Sequence, residues 1–255
     1  MNKNYSVCLL LSSGLLLSPG MLSANEQINK PDVNDKTIAI SALTNMSEYL
    51  RSLDKFSVDA QINTDDVLPG GQKIQISKTA TVKSDPPSGL WAKTSSMFGE
   101  REFFYNGKLF TIYTPESGYY ASFKAPETIG KTLLKAEQEF NIELPLTDLF
   151  YWGTNADSTA DIDEALIIGV DKVNGIACNQ FAFRQQEIDW QICIQRGETP
   201  LPLKLVITSK LEESQPQYMA VLKWNTAPDL DKQSYTFTAA STDHKINFLK
   251  ADNNK

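Results

Sequence analysis

Residues 101–126, REFFYNGKLFTIYTPESGYYASFKAP, carry eight aromatic rings in one alternating stretch with rings on both faces. Alternation with period two is the pattern of a β-strand, and Asn106-Gly107 is a favoured tight hairpin turn. A turn there pairs Phe103 with Phe110 and Phe104 with Leu109, and Glu116-Ser117-Gly118 marks a second turn into a third strand. One face of this meander carries Phe103, Tyr105, Phe110 and Ile112; the other carries Phe104, Leu109, Thr111 and Tyr113. A half-exposed antiparallel sheet is polar on one side. Here both sides need cover, which limits the chain to folds that wrap or shield a sheet.

The same period recurs along most of the chain. "FSVDAQIN", "QKIQISKTATVKS" and "LWAKTSS" precede the aromatic meander, divided by "LPGG" and "DPPSG" turn signals. "ALIIGVDKV", "ACNQFAFRQ", "DWQICIQ", "LPLKLVITSKL", "QYMAVLKW" and "SYTFTAA" follow it. Two helices interrupt the strands. Ala39, Leu43, Met46, Leu50 and Leu53 recur at three- and four-residue intervals, and Ile129, Leu133, Ala136 and Phe140 mark a second amphipathic stripe. "LPLTDLFYW" reads as a short apolar helix or turn, and "NADSTADIDE" as a polar loop. With no linker and no repeat, the two runs of strands join into one antiparallel sheet of about ten strands, and a sheet that wide curls. The fold class expected is α+β: a single curled antiparallel sheet, an incomplete barrel, with an N-terminal helix and a mid-chain helical lid.

Lys3, the apolar run Val7–Leu17 and a small residue at Ala24 form a secretory signal pattern, too short to span a bilayer. A buried N-terminal helix is the alternative. The expected division is a cleaved signal over 1–24, a leader over 25–35, the folded domain over 36–249 and a frayed tail over 250–255. The product is then exported and not membrane-spanning, and the resemblance given below implies the periplasm. An oxidising compartment permits a disulfide between Cys178 and Cys193. A turn centred on Gln185-Gln186 sets Phe181 against Trp190, Phe183 against Ile188 and Cys178 against Cys193; two unlinked thiols on one sheet face are the alternative.

Several functions fall away. A net charge of −7 without a Lys/Arg run gives no footprint for nucleic acid. The one histidine, His244, stands in a polar segment, which leaves no His-rich metal site and little for a catalytic triad. There is no glycine-rich phosphate loop, and no cofactor is implied. Asp148, Asp189 and the other carboxylates select no catalytic pair, and Arg184 opposite Glu187 reads as a hairpin-end ion pair. The chain is not expected to be an enzyme.

The ordered series "NMSEYLRSLDKFSVDA", "REFFYNGKLFTIYTPESGYYASFKAP", "IELPLTDLFYW", "VNGIACNQFAFRQQEIDWQICI" and "PLPLKLVITSK" resembles a family of predicted periplasmic bacterial proteins, over roughly Lys36 to Phe248. That family is similar in turn to the LolA-like superfamily of LolA, LolB and RseB. The leading helix, the "GKLFTIYTP" hairpin and the closing "YTFTAASTDHKINF" carry the likeness. This chain departs from it at Ala239-Ala240, where prolines are usual, at Gln180, where close relatives have a histidine, and at Cys193, where an aromatic is common. The resemblance implies a half-barrel whose apolar cavity holds acyl chains, with Ile129–Phe140 as the lid. The residues expected in such a cavity are Trp91, Phe103, Tyr105, Phe110, Ile112, Tyr120, Leu133, Phe140, Phe181, Phe183 and Trp190. Two functions stay open: binding of an acyl chain, lipid or lipoprotein, or a protein-interaction or envelope-stress sensing module with a filled core and an envelope protein as partner.

Overall fold

The computed structural model describes residues 33–142, 144–152 and 159–249. The expected signal, the leader up to residue 32, the tail from residue 250 and part of the polar loop lie outside these residues. Helix α1 (Val33–Ser52) begins three residues before the expected boundary. Asp35 in its first turn and Arg51 in its last complement the helix dipole. Its buried stripe is Ala39, Leu43, Met46 and Leu50.

The chain then runs outward through β1 (Phe56–Val67), β2 (Lys73–Asp85), β3 (Gly89–Ser96), β4 (Gly99–Tyr105), β5 (Leu109–Thr114) and β6 (Tyr119–Lys124). Helices α2 (Ile129–Phe140) and α3 (Asp148–Tyr151) carry it to the far edge, where β7 (Glu164–Val173) starts. It returns through β8 (Ile176–Arg184), β9 (Ile188–Gln195), β10 (Pro202–Ser209) and β11 (Gln217–Asn225), which pairs with β1. The last strand, β12 (His244–Ile246), lies beside β6. The described strands form one curled, unclosed sheet in the order β12-β6-β5-β4-β3-β2-β1-β11-β10-β9-β8-β7.

Three local expectations are corrected. "SYTFTAA" is not a strand. Lys232–Tyr235 form a 3-10 helix, and Phe237 packs on the convex face against Phe104, Tyr113 and Tyr120, with centroids 5.4, 4.9 and 4.9 Å away. Its alternation reflects a strap with one side docked, without a ladder partner. This strap covers the second aromatic face. It leads to β12, which runs parallel to β6 and carries His244, so the sheet is not wholly antiparallel and the histidine belongs to a strand.

Both hairpin registers differ from expectation by two residues. Phe103 pairs with Ile112 and Tyr105 with Phe110. The Asn106 carboxamide oxygen accepts from the backbone N–H groups of Lys108 and Leu109, and Gly107, with φ 83°, is the first central residue of the turn. In the second hairpin Phe183 pairs with Trp190, Cys178 with Gln195 and Gln180 with Cys193. Arg184 therefore stands opposite Asp189, not Glu187, and it also bridges to Glu164.

The cysteines are nonetheless bridged, diagonally, with Cα atoms 5.5 Å apart. A slip of two preserves which face each residue occupies. The bridge is buried with Val173 and Leu203 on the side of β8 opposite Phe181 and Phe183. It closes a 15-residue separation, so its removal is expected to cost about 3 kcal/mol. Thermal unfolding of the Cys178→Ser/Cys193→Ser protein against the oxidised parent measures this; equal transitions would show that the bridge does not stabilise the fold.

Candidate functional site

The inward residues of β1–β5 form one apolar cluster with α2, α3 and the segment between them. Ile129, Leu133 and Ala136 of α2 are buried against it. The Tyr105 hydroxyl donates to the Pro126 carbonyl at 2.6 Å, and the Ile129 N–H donates to the Pro87 carbonyl at 2.9 Å. Phe140 stacks on Phe123 at 5.0 Å. Burial of these side chains contributes about 1.5–3 kcal/mol each. The helix is therefore docked more firmly than a marginal lid. On the other half, α1 covers Phe181, Phe183, Ile192 and Leu205 in a second cluster.

Between these fillings the concave face is left uncovered at one end. A cavity of about 730 Å³ opens there. Its floor is Thr64, Ile76, Lys78, Thr94, Ser96, Arg101, Phe103 and Tyr218; its roof is Leu133, Glu137, Ile142, Leu144, Leu146 and Asp148. A smaller cavity of about 320 Å³ lies between α1, α3 and β9–β10, bounded by Leu43, Trp152, Ile162 and Trp190. Asp148 and Ile207 stand between the two and line both.

The expected aromatic lining is corrected by this arrangement. Phe103 and Leu133 reach the larger space and Trp190 the smaller. Tyr105 and Phe110 are wholly buried, with Ile112 packed against their cluster, because α2 closes directly over them. Phe181 and Phe183 are taken up by α1, and Phe140 lies at the end of α2 between Phe123 and Phe248. Trp91 and Tyr120 are on the convex face. Trp91 pairs across from Phe104 and donates to Glu102, while Tyr120 packs on Phe237. Strand parity puts them there: each stands opposite a residue that faces outward.

The roof is electrostatically unusual. Burial pushes the Asp148 carboxyl above the ordinary carboxylate range, and Glu137 adds to the effect. Burial also raises the Tyr151 hydroxyl to about 12, helped by Glu137 and Asp148, and holds Tyr218 well above its usual value. At the rim, a hydrogen-bonded ion pair with Lys73 at 3.1 Å lowers Asp65.

The sequence matches the model of the family described as predicted periplasmic protein (DUF2092) over residues 39–249. The chain belongs to this family. It is accordingly periplasmic, and among the described residues no helix is long and apolar enough to cross a membrane. No curated protein matches the sequence. Among solved structures it is similar to the lipoprotein LppX from Mycobacterium tuberculosis, at 10% identity and a TM-score of 0.50, covering 76% of this chain and 99% of that one. LprF from Mycobacterium bovis matches at 16% identity and a TM-score of 0.47, covering 79% and 97%. A LolA superfamily protein from Nitrosomonas europaea matches at 11% identity and a TM-score of 0.36, covering 78% and 97%. At such identities the likeness is one of fold. The half-barrel with two helical covers is the architecture expected from the sequence.

Among the trough residues of this DUF2092 protein that lie outside the aromatic pattern, four carry a signal in the sequence. The inward positions of β2 read Ile74, Ile76, Lys78, Ala80 and Val82, a cation inside an apolar row. Arg101 and Thr94 interrupt β4 and β3 in the same way, and Asp148 is a lone charge within "LPLTDLFYW". For Asp148 the consequence is testable. Its folded pKa lies above the unfolded value of about 3.8, so its contribution to stability is full below that value and is lost as pH rises through the folded pKa. Asp148→Asn is expected to raise the unfolding temperature at neutral pH and to change it little near about pH 3.5. An effect independent of pH would assign the residue another role.

Proposed function

We propose that this protein is a periplasmic binding protein that holds a hydrophobic ligand, an acyl chain, lipid or lipoprotein, in the trough under α2 and α3. The observation that carries this reading is the cavity of about 730 Å³ with Phe103, Leu133, Ile142, Leu144 and Leu146 on its walls. That volume suits a small-molecule site, for which about 300–1,000 Å³ is usual. Each methylene withdrawn from water contributes about 0.8 kcal/mol, so a chain of modest length is held without any charged contact. The work of the site is to bind, not to catalyse.

The mature protein purified from periplasm is expected to release lipid on organic extraction, identified by mass spectrometry, and to bind a fluorescent fatty acid. Repeated lipid-free recovery together with no fatty-acid binding would overturn the proposal. A second reading, a protein-interaction or envelope-sensing module, draws on the way α1 and the Tyr105–Phe110 core fill most of the concave face. Crosslinking in cells separates the two: one stoichiometric protein partner without lipid favours the second.

A further inference from the structure

We infer that the trough reads the head group of a zwitterionic phospholipid, with phosphate held on the sheet and ammonium on the helical side. This rests on the lipid-binding reading above and adds the chemistry of the ligand's head. It begins with the two cations of the floor. Lys78 sits opposite Ile62, a buried residue of the concave face, and Arg101 lies two residues before buried Phe103 on the same face. Lys78 pairs across from Ser96, and Thr94 from Arg101, so two hydroxyls stand on β3 between the cations. Strands are spaced about 4.8 Å apart, which sets β2 and β4 about 10 Å apart. Two long side chains lining one space from that separation are within reach of a single bound group.

Neither cation has an ion pair or a side-chain hydrogen bond with any described residue. The lysines around them differ: Lys73 is paired with Asp65 and Lys93 with Glu100. Lys78 is half-buried and Arg101 exposed at the mouth, so both stand where the anionic group of a ligand entering the trough can meet them. Arg and Lys flanked by hydroxyls form a phosphate-binding set.

Carboxylates line the rest of the space: on the sheet at the mouth stand Asp65, paired with Lys73, and Asp66, and two more belong to the roof. Glu137 of α2 and Asp148 of α3 line the same space, and Glu137 makes no ion pair with a described residue. A purely anionic head would meet the floor but face these carboxylates. An uncharged head would leave both sets unmet. A head that carries phosphate and ammonium satisfies floor and roof together, while its chains pass inward beneath Leu133 toward Leu144 and Leu146.

The test is displacement of a fluorescent fatty acid from the mature protein by micellar lipids with identical chains. Phosphatidylethanolamine is expected to displace best, ahead of phosphatidylglycerol and diacylglycerol, and chainless glycerophosphoethanolamine not at all. Lys78→Ala/Arg101→Ala should weaken phosphatidylethanolamine about tenfold or more and leave diacylglycerol unchanged. Glu137→Gln should weaken phosphatidylethanolamine but not phosphatidylglycerol. Unfolding transitions of the variants check that they fold. Equal displacement by phosphatidylethanolamine and diacylglycerol would overturn the head-group inference and leave the lipid reading standing. Phosphatidylglycerol matching phosphatidylethanolamine would remove the ammonium arm, and binding of the chainless compound would mean that a free solute is recognised. Failure of every lipid, with the fatty acid also unbound, would sink the lipid reading itself.

Discussion

Thr94→Trp is expected to weaken acyl-chain binding by more than about tenfold, a loss of about 1.4 kcal/mol or more. Thr94 lies on the floor of the trough, half-buried, between Arg101 and buried Ala80. An indole there takes the space that a chain would fill. Overpacking a filled core costs about 1–3 kcal/mol, but here the new ring enters a void, so the folded state should lose little. Thr79→Trp, one strand away and exposed on the opposite face, is the matching control. Fluorescent fatty-acid titration of both variants decides the matter. Parent-like affinity in Thr94→Trp would show that the chain does not occupy this cavity.

Phe110→Ala should produce the largest loss of stability, about 3–5 kcal/mol. The ring is fully buried, 5.0 Å from Phe123 and 6.4 Å from Phe103 by centroid, beneath α2. For a domain of this size that loss lowers the unfolding temperature by about 10 °C. Tyr120→Ala should cost less, since Tyr120 is half-buried under the strap rather than enclosed. Chemical denaturation of the two variants gives the comparison. A cost for Phe110→Ala below about 1 kcal/mol would mean that the lid does not close over this ring in solution.

These two residues also illustrate what could be read from the sequence. Alternation fixes which of two faces a side chain takes, so Phe103, Tyr105, Phe110 and Ile112 were grouped correctly. It does not fix register beyond a multiple of two. Both hairpins slid by that amount, because the side chain of Asn106 and the turn at Gln186-Glu187 moved the centre by one residue. Nor does alternation say which apolar face is filled by the chain's own helices. Tyr105 and Phe181 look equally suited to a ligand in the sequence, yet α2 covers the first and α1 the second. The space that remains lies where inward positions turn polar, at Thr64, Lys78, Thr94 and Arg101, the opposite of an apolar row.

The meeting of β1 with β11 has a kinetic consequence. Among the described strands every other antiparallel pair joins neighbours in sequence, whereas at this seam the Gln217 N–H donates to the Asp65 carboxylate across 152 residues. Hairpins on either side form locally, on the order of microseconds, whereas the seam must wait for two distant ends to find each other. Refolding should therefore be slowed most by substitutions along Ala60–Thr64. Until the seam closes, the newborn molecule exposes a bare strand edge at what becomes the middle of its sheet, and mispairing with a neighbour begins there rather than at the finished rims.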